Sequence, residues 1–160
     1  MKDTLFLNPG GYFFGQHSGY VVTLLGSCVA FCAWHPEKKL LLASHVVLPE
    51  RPTNELLKDT RYGDVVIQSA LADMYKHKTN LNEYKLALFG GSSTIYEKTD
   101  YKKSVGAKNI AFMRDRIERV LNAQFHALDI GGHQHRRLNI DAQQGGFQVQ
   151  YLQSLPFTKG

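Results

Sequence analysis

Two apolar runs, residues 29–34 (VAFCAW) and 40–48 (LLLASHVVL), flank the polar stretch His35-Pro36-Glu37-Lys38-Lys39. β-Branched and aromatic residues dominate both, and a proline-containing turn joins them, so they read as a β-hairpin. If the chain reverses about Glu37 and Lys38, paired positions sum to about 75 and position 28 falls opposite position 47. Cys28 and His45 then become diagonal neighbours on one face, with Cα atoms about 7 Å apart. A thiol and an imidazole at that separation can turn towards each other.

Further strands are expected at residues 20–25, 84–89, 125–130, 137–141 and 147–153, the last two joined through Ala142-Gln143-Gln144-Gly145-Gly146. Residues 49–60, with two prolines and many polar groups, read as a surface loop. Between 61 and 78 the period changes. Ile67, Ala70, Leu71 and Met74 recur at helical spacing, with Asp73, Lys76 and His77 opposite. A second amphipathic helix follows over 106–122, striped by Ile110, Met113, Ile117 and Val120 or Leu121. With no linker or internal repeat, the 160 residues form one domain of class α+β, its helices packed on a largely antiparallel sheet.

A chain of this length can bury close to 70% of its unfolded surface, so it needs no disulfide or metal as a staple. Cys28 and Cys32 on one strand would lie about 13 Å apart at about 3.3 Å per residue, beyond the roughly 7 Å a bridge allows. Cysteine attacks as thiolate, and an imidazole that takes its proton can return it to a leaving group. Of the seven histidines, His35 at the Pro36 turn and His77 on a polar helix face read as solvated. His45 interrupts an apolar strand and is the candidate partner of Cys28. The Gly26-Ser27 turn before Cys28 can aim two backbone amides at one point, the arrangement an oxyanion requires.

Other chemistries find little support. His133-Gln134-His135 lacks a further ligand to make a metal site. Gly90-Gly91-Ser92-Ser93-Thr94 lacks the GK[ST] ending of a phosphate loop, and no G-x-S-x-G elbow is present. Neither a metal nor any other cofactor is called for. The 19 Lys and Arg against 14 Asp and Glu leave +5, which suits an acidic partner. Acids and bases interleave, as in RDRIER at 114–119, and no nucleic-acid-binding motif accompanies them, so nucleic acid is not the expected partner. No run approaches the roughly 18 apolar residues of a membrane span, and the first residues lack a signal-peptide pattern. Insertion in a membrane is therefore not expected, and the cytoplasm is the expected location.

Taken in order, Leu25-Gly26-Ser27-Cys28-Val29-Ala30, His45 with Leu48-Pro49, Arg61-Tyr62-Gly63-Asp64, Phe89-Gly90-Gly91, Val105-Gly106-Ala107-Lys108-Asn109 and Asp129-Ile130-Gly131-Gly132 resemble the CheD family of chemoreceptor glutamine deamidases. The resemblance spans about residues 20–152. It implies an α+β cysteine hydrolase fold, shared with bacterial toxin deamidases, and a Cys-His-Thr group. Carried over by motif, Cys28 is the nucleophile, His45 the general base and acid, and Thr23, five residues before Cys28, orients the imidazole. Gly26 and Ser27 belong to the oxyanion turn, and Gly90-Gly91 and Gly131-Gly132 shape the cleft. The implied substrates are glutamines on the cytoplasmic helices of methyl-accepting chemotaxis receptors. Arg136-Arg137 and the basic excess would steer the protein to an acidic receptor bundle. Some members also bind a CheC-type phosphatase. Two readings compete with the enzyme: a non-catalytic adaptor with Cys28 buried, and a thiol redox sensor using Cys28 and Cys32.

Overall fold

The computed structural model describes residues 3–53, 58–93 and 103–152. Among these, β1 (Thr4–Phe6), β2 (Tyr12–Gly15), β3 (Tyr20–Leu25), β4 (Val29–His35) and β5 (Leu40–Ser44) precede helix α1 (Gly63–Lys76). Then come β6 (Lys85–Gly90), helix α2 (Val105–Arg114), β7 (Phe125–Ile130), β8 (His135–Asp141) and β9 (Gly146–Leu152). One sheet has the order β1-β3-β8-β9, the other β2-β5-β4-β6-β7. The α+β class holds. The sheets are mixed: β1 runs parallel to β3, and β6 parallel to β7, the latter pair linked through α2 as a parallel crossover requires.

The layers follow from side-chain alternation. Every residue of β4 is buried, because it is a central strand covered on both faces and so reads as a continuous apolar run. Val29, Phe31 and Ala33 face the helices, in one core with Val66, Ala70, Met74, Met113 and Ile117. Ala30, Cys32 and Trp34 point the other way, into a core shared with Val21 and Leu25 of β3 and Leu138 and Ile140 of β8. The order is therefore sheet, sheet, helices. Each large side chain buried in these two cores contributes about 1.5–3 kcal/mol.

The hairpin register is the expected one: Ala33 pairs with Leu42, Trp34 with Leu41 and His35 with Leu40, and beyond them Val29 bridges Val46. The second strand is shorter than the run 40–48, because the Ser44 hydroxyl intercepts the ladder. It accepts from the Phe31 N–H at 3.2 Å and donates to the Phe31 carbonyl at 2.7 Å. His35 is a correction. It is buried, not solvated. Its Nδ1 accepts from the Lys38 N–H at 3.0 Å, and its Nε2 meets Glu83 at 2.9 Å, so the ring closes the turn from inside.

The first helix spans 14 residues within the expected range, and Ile67, Ala70 and Met74 are buried as their spacing requires. The second departs from the expected single helix over 106–122. Ser104 caps it, accepting from the Ala107 N–H, but from Asp115 to Val120 it widens into a π-helix. The wider turn keeps Ile117 buried and leaves Val120 half exposed. Two short strands, β1 and β2, arise in a segment where no strand is expected. Residues 54–57 of the expected loop, Thr94 and Gln153 lie outside the described residues.

Candidate active site

The three residues singled out by motif meet at one end of the seam between the sheets. Thr23 comes from β3 of the four-stranded sheet, while Cys28 and His45 come from the segments that lead into β4 and out of β5. Parity decides their direction. Leu41 and Ala43 face the inter-sheet core, so His45, two further on, faces it as well, and Cys28 packs against the same core. Across the Val29–Val46 bridge, Cys28 and His45 are diagonal neighbours on one face.

His45 is held on every side. Its N–H donates to the Gly11 carbonyl at 3.0 Å, and its own carbonyl accepts from the Gly10 N–H at 2.9 Å. Its ring Nδ1 lies 2.6 Å from Thr23 Oγ1. The Thr23 hydroxyl has a single proton, which it donates to the Leu7 carbonyl at 2.7 Å, since a carbonyl can only accept. Thr23 Oγ1 must therefore accept from His45, which fixes the proton on Nδ1 and leaves the Nε2 lone pair free. The Leu7 carbonyl is itself fixed, because the Leu7 N–H donates to Val22 at 2.9 Å. Sequence reasoning missed Leu7, Gly10 and Gly11, which act through backbone atoms. The turn signal Asn8-Pro9-Gly10-Gly11 is their only trace.

Burial sets the resting protonation. Thr23 and His45 are almost wholly covered, at 4% and 3% exposure, and desolvation pushes the imidazole below its ordinary value. Cys28 is partly exposed, and desolvation pushes its thiol up. Near neutral pH the pair therefore rests as thiol and neutral imidazole. Such a pair is competent for proton transfer from sulfur to Nε2 as the thiol attacks.

The Gly26-Ser27-Cys28 turn is braced from behind. The Ser92 N–H donates to the Gly26 carbonyl at 3.0 Å, and the Gly91 N–H to the Cys28 carbonyl at 2.9 Å. Gly90 and Gly91 both have positive φ, and a Cβ on Gly90 would strike the Cys28 carbonyl. Both glycines are buried beneath the turn. Among the described residues the Ser27 and Cys28 N–H groups have no backbone acceptor. The 131–132 pair is tied to the same loops, through Gly131 N–H to the Gly90 carbonyl and Ser93 N–H to the Gly132 carbonyl, each at 2.9 Å.

Arg136 corrects the expected steering surface. It is buried rather than solvent-facing, with Nε on Asp129 at 3.0 Å and Nη2 donating to the Gly131 carbonyl at 2.8 Å. A guanidinium committed to those partners holds a loop and cannot reach out to a distant partner.

Cys28 and Cys32 are both free. Cys32 is wholly buried, and its thiol is pushed up to about 12. Iodoacetamide on the native protein should therefore modify Cys28 alone, Cys32 reacting only after unfolding. Peptide mapping checks this, and labelling of Cys32 at the same rate as Cys28 would contradict it.

A family profile described as CheD chemotactic sensory transduction matches residues 47–151. A protein of Dechloromonas aromatica named "Probable chemoreceptor glutamine deamidase CheD 3" is 34% identical over 93% of this chain and 88% of its own length. A Leptospira interrogans protein similarly named CheD 1 is 34% identical, covering 91% of each chain, and one from Pseudomonas syringae is 29% identical over 91% of this chain and 87% of its own. Matches of that extent take in the segment from Thr23 to His45. With the profile covering most of the chain and the relatives nearly all of it, the chain belongs to the CheD family.

Proposed function

We propose that this protein is a chemoreceptor glutamine deamidase that hydrolyses the side-chain amide of receptor glutamines to glutamate through a thioester on Cys28. The observation that carries the reading is the hydrogen-bond chain from the Leu7 carbonyl through Thr23 to His45 Nδ1, which leaves Nε2 as the base. The relatives' names supply the substrate class.

In the first half-reaction the Cys28 proton passes to His45 Nε2 while sulfur bonds to the amide carbon, and the carbonyl oxygen takes negative charge against the Ser27 and Cys28 amides. Collapse of this adduct breaks the C–N bond. The His45 proton goes to the leaving nitrogen, so ammonia departs and a thioester remains. Water then adds to the thioester with Nε2 as base, releasing glutamate and restoring the thiol. Thr23 supports both halves by keeping the imidazole in one tautomer and one orientation.

The test is incubation of the purified protein with cytoplasmic receptor fragments from its own organism, following ammonia release and glutamine-to-glutamate conversion by mass spectrometry. Equal amounts of the two products are expected. Absence of conversion on every receptor fragment would overturn the reading.

Thr23→Val keeps the shape of the side chain and removes the acceptor for Nδ1–H. It should lower kcat by about 10- to 100-fold through loss of imidazole alignment, with KM nearly unchanged. Steady-state kinetics on the receptor fragment checks this, and a fall confined to KM would contradict the assigned role.

A further inference from the structure

Asn109 lies on α2, in the helix layer, with none of its surface exposed. A wholly buried carboxamide calls for partners, and its partners are specific. Nδ2 donates to the Ser27 carbonyl at 3.1 Å and to the Val47 carbonyl at 3.0 Å. Both are acceptors only, so the amide can face them only through its two N–H groups, and this fixes its orientation. Its Oδ1 is buried without a partner among the described residues.

The two carbonyls belong to the segments that carry Cys28 and His45, the turn entering β4 and the stretch leaving β5. The hairpin ladder closes at the Val29–Val46 bridge, where each N–H donates to the other carbonyl, at 3.0 and 2.7 Å. Immediately beyond it, among the described residues, no backbone hydrogen bond joins the Cys28 turn to the segment leaving His45. Asn109 supplies a link from the side, its Nδ2 donating to each segment. The helix can come this close because residue 106 is glycine: a Cβ there would collide with the Gly91 and Ser92 carbonyls.

We infer that Asn109 is a positioning residue, its carboxamide stapling the Ser27 carbonyl to the Val47 carbonyl and so setting the distance between Cys28 and His45. This rests on the deamidase reading above. Asparagine is the side chain suited to this position, since aspartate has no N–H to offer two carbonyls, and leucine of similar size would leave both unpaired. The unpaired Oδ1 is a cost that packing alone would not require.

The experiment compares Asn109→Ala with Met113→Ala, a wholly buried residue of the same helix that touches neither segment through a hydrogen bond. Both should melt at lower temperature than the native protein. Assayed where each is folded, Asn109→Ala should lose about 10- to 100-fold in kcat with KM little changed, while Met113→Ala keeps a native kcat. The pH profile of Cys28 alkylation should also move in the Asn109 variant only, because the thiol has lost its fixed distance to the imidazole. Should Asn109→Ala not fold, Asn109→Ser is assayed in its place and read in the same way. An Asn109 variant whose kcat and alkylation profile match those of Met113→Ala overturns the inference. Cys28→Ala separates the two failures. If it remains active, the Cys28 thioester mechanism on which the staple depends is wrong; if it is inactive while the Asn109 variant is normal, only the staple is.

Discussion

Cys28→Ala should fold and melt close to the native protein yet show a deamidation rate lower by roughly 10⁴-fold or more, since it removes the thiol that forms the acyl intermediate. The structural cost is small. The thiol is partly exposed and packs only at the rim of the inter-sheet core, so its removal forfeits about 1 kcal/mol of burial. Cys28→Ser should be equally inactive, because a hydroxyl beside a neutral, desolvated imidazole is a far weaker nucleophile than a thiol. Cys32→Ala supplies the contrast: it opens space in the wholly buried core and should lower the melting temperature while leaving kcat intact. Ammonia release on receptor fragments, with melting curves for all three, checks the pattern. Activity persisting in Cys28→Ala would remove the thioester mechanism.

His45→Ala should reduce kcat by about 10²- to 10⁴-fold, the range attached to a positioned general base, and should change the shape of the pH profile as well as its height. In the native protein the active form is thiol plus neutral imidazole. Burial holds His45 below its ordinary 6.5 and Cys28 above its ordinary 9.0. The rate should therefore rise through an acid limb lying below pH 6.5 and hold a plateau across neutrality. Loss of the acid limb in His45→Ala is the diagnostic result, and an unchanged limb would assign it to another group. Stability follows the same groups. Below about pH 6.5 the unfolded chain binds a proton on His45 that the folded chain resists, so folding is weakened as pH falls through that value. Above pH 9.0 the unfolded chain releases the Cys28 proton that the folded chain keeps, so folding is weakened as pH rises.

The hairpin that carries the site is readable because two features agree: apolar runs on both sides and a proline turn that fixes where they reverse. Its register then follows by arithmetic, and with it the side-by-side placement of Cys28 and His45. What stays hidden acts through the main chain or across layers. The Leu7 carbonyl that orients Thr23 and the Gly10-Gly11 amide and carbonyl that hold His45 have no side-chain signature. The strands β1 and β2 that frame them span three and four residues, too few to establish a period of two. Asn109 is visible within a family motif, but nothing in its spacing reveals that its amide reaches the two segments that carry Cys28 and His45. The π-helix after Arg114 escapes because its apolar residues also fit a 3.6-residue period. His35 and Arg136 mislead for one reason: a charged or polar side chain beside a turn reads as solvated unless its partner, Glu83 or Asp129, is known.

Thr23 belongs to one sheet, whereas Cys28 and His45 hang from the other. The imidazole's tautomer is thus decided across a mating surface, not within either ladder. A loosening too slight to melt a single strand, once it draws β3 away from β5, would free the ring to spin and silence the chemistry while every helix and sheet persisted. Turnover in this protein is for that reason a gauge of how firmly its two halves are closed.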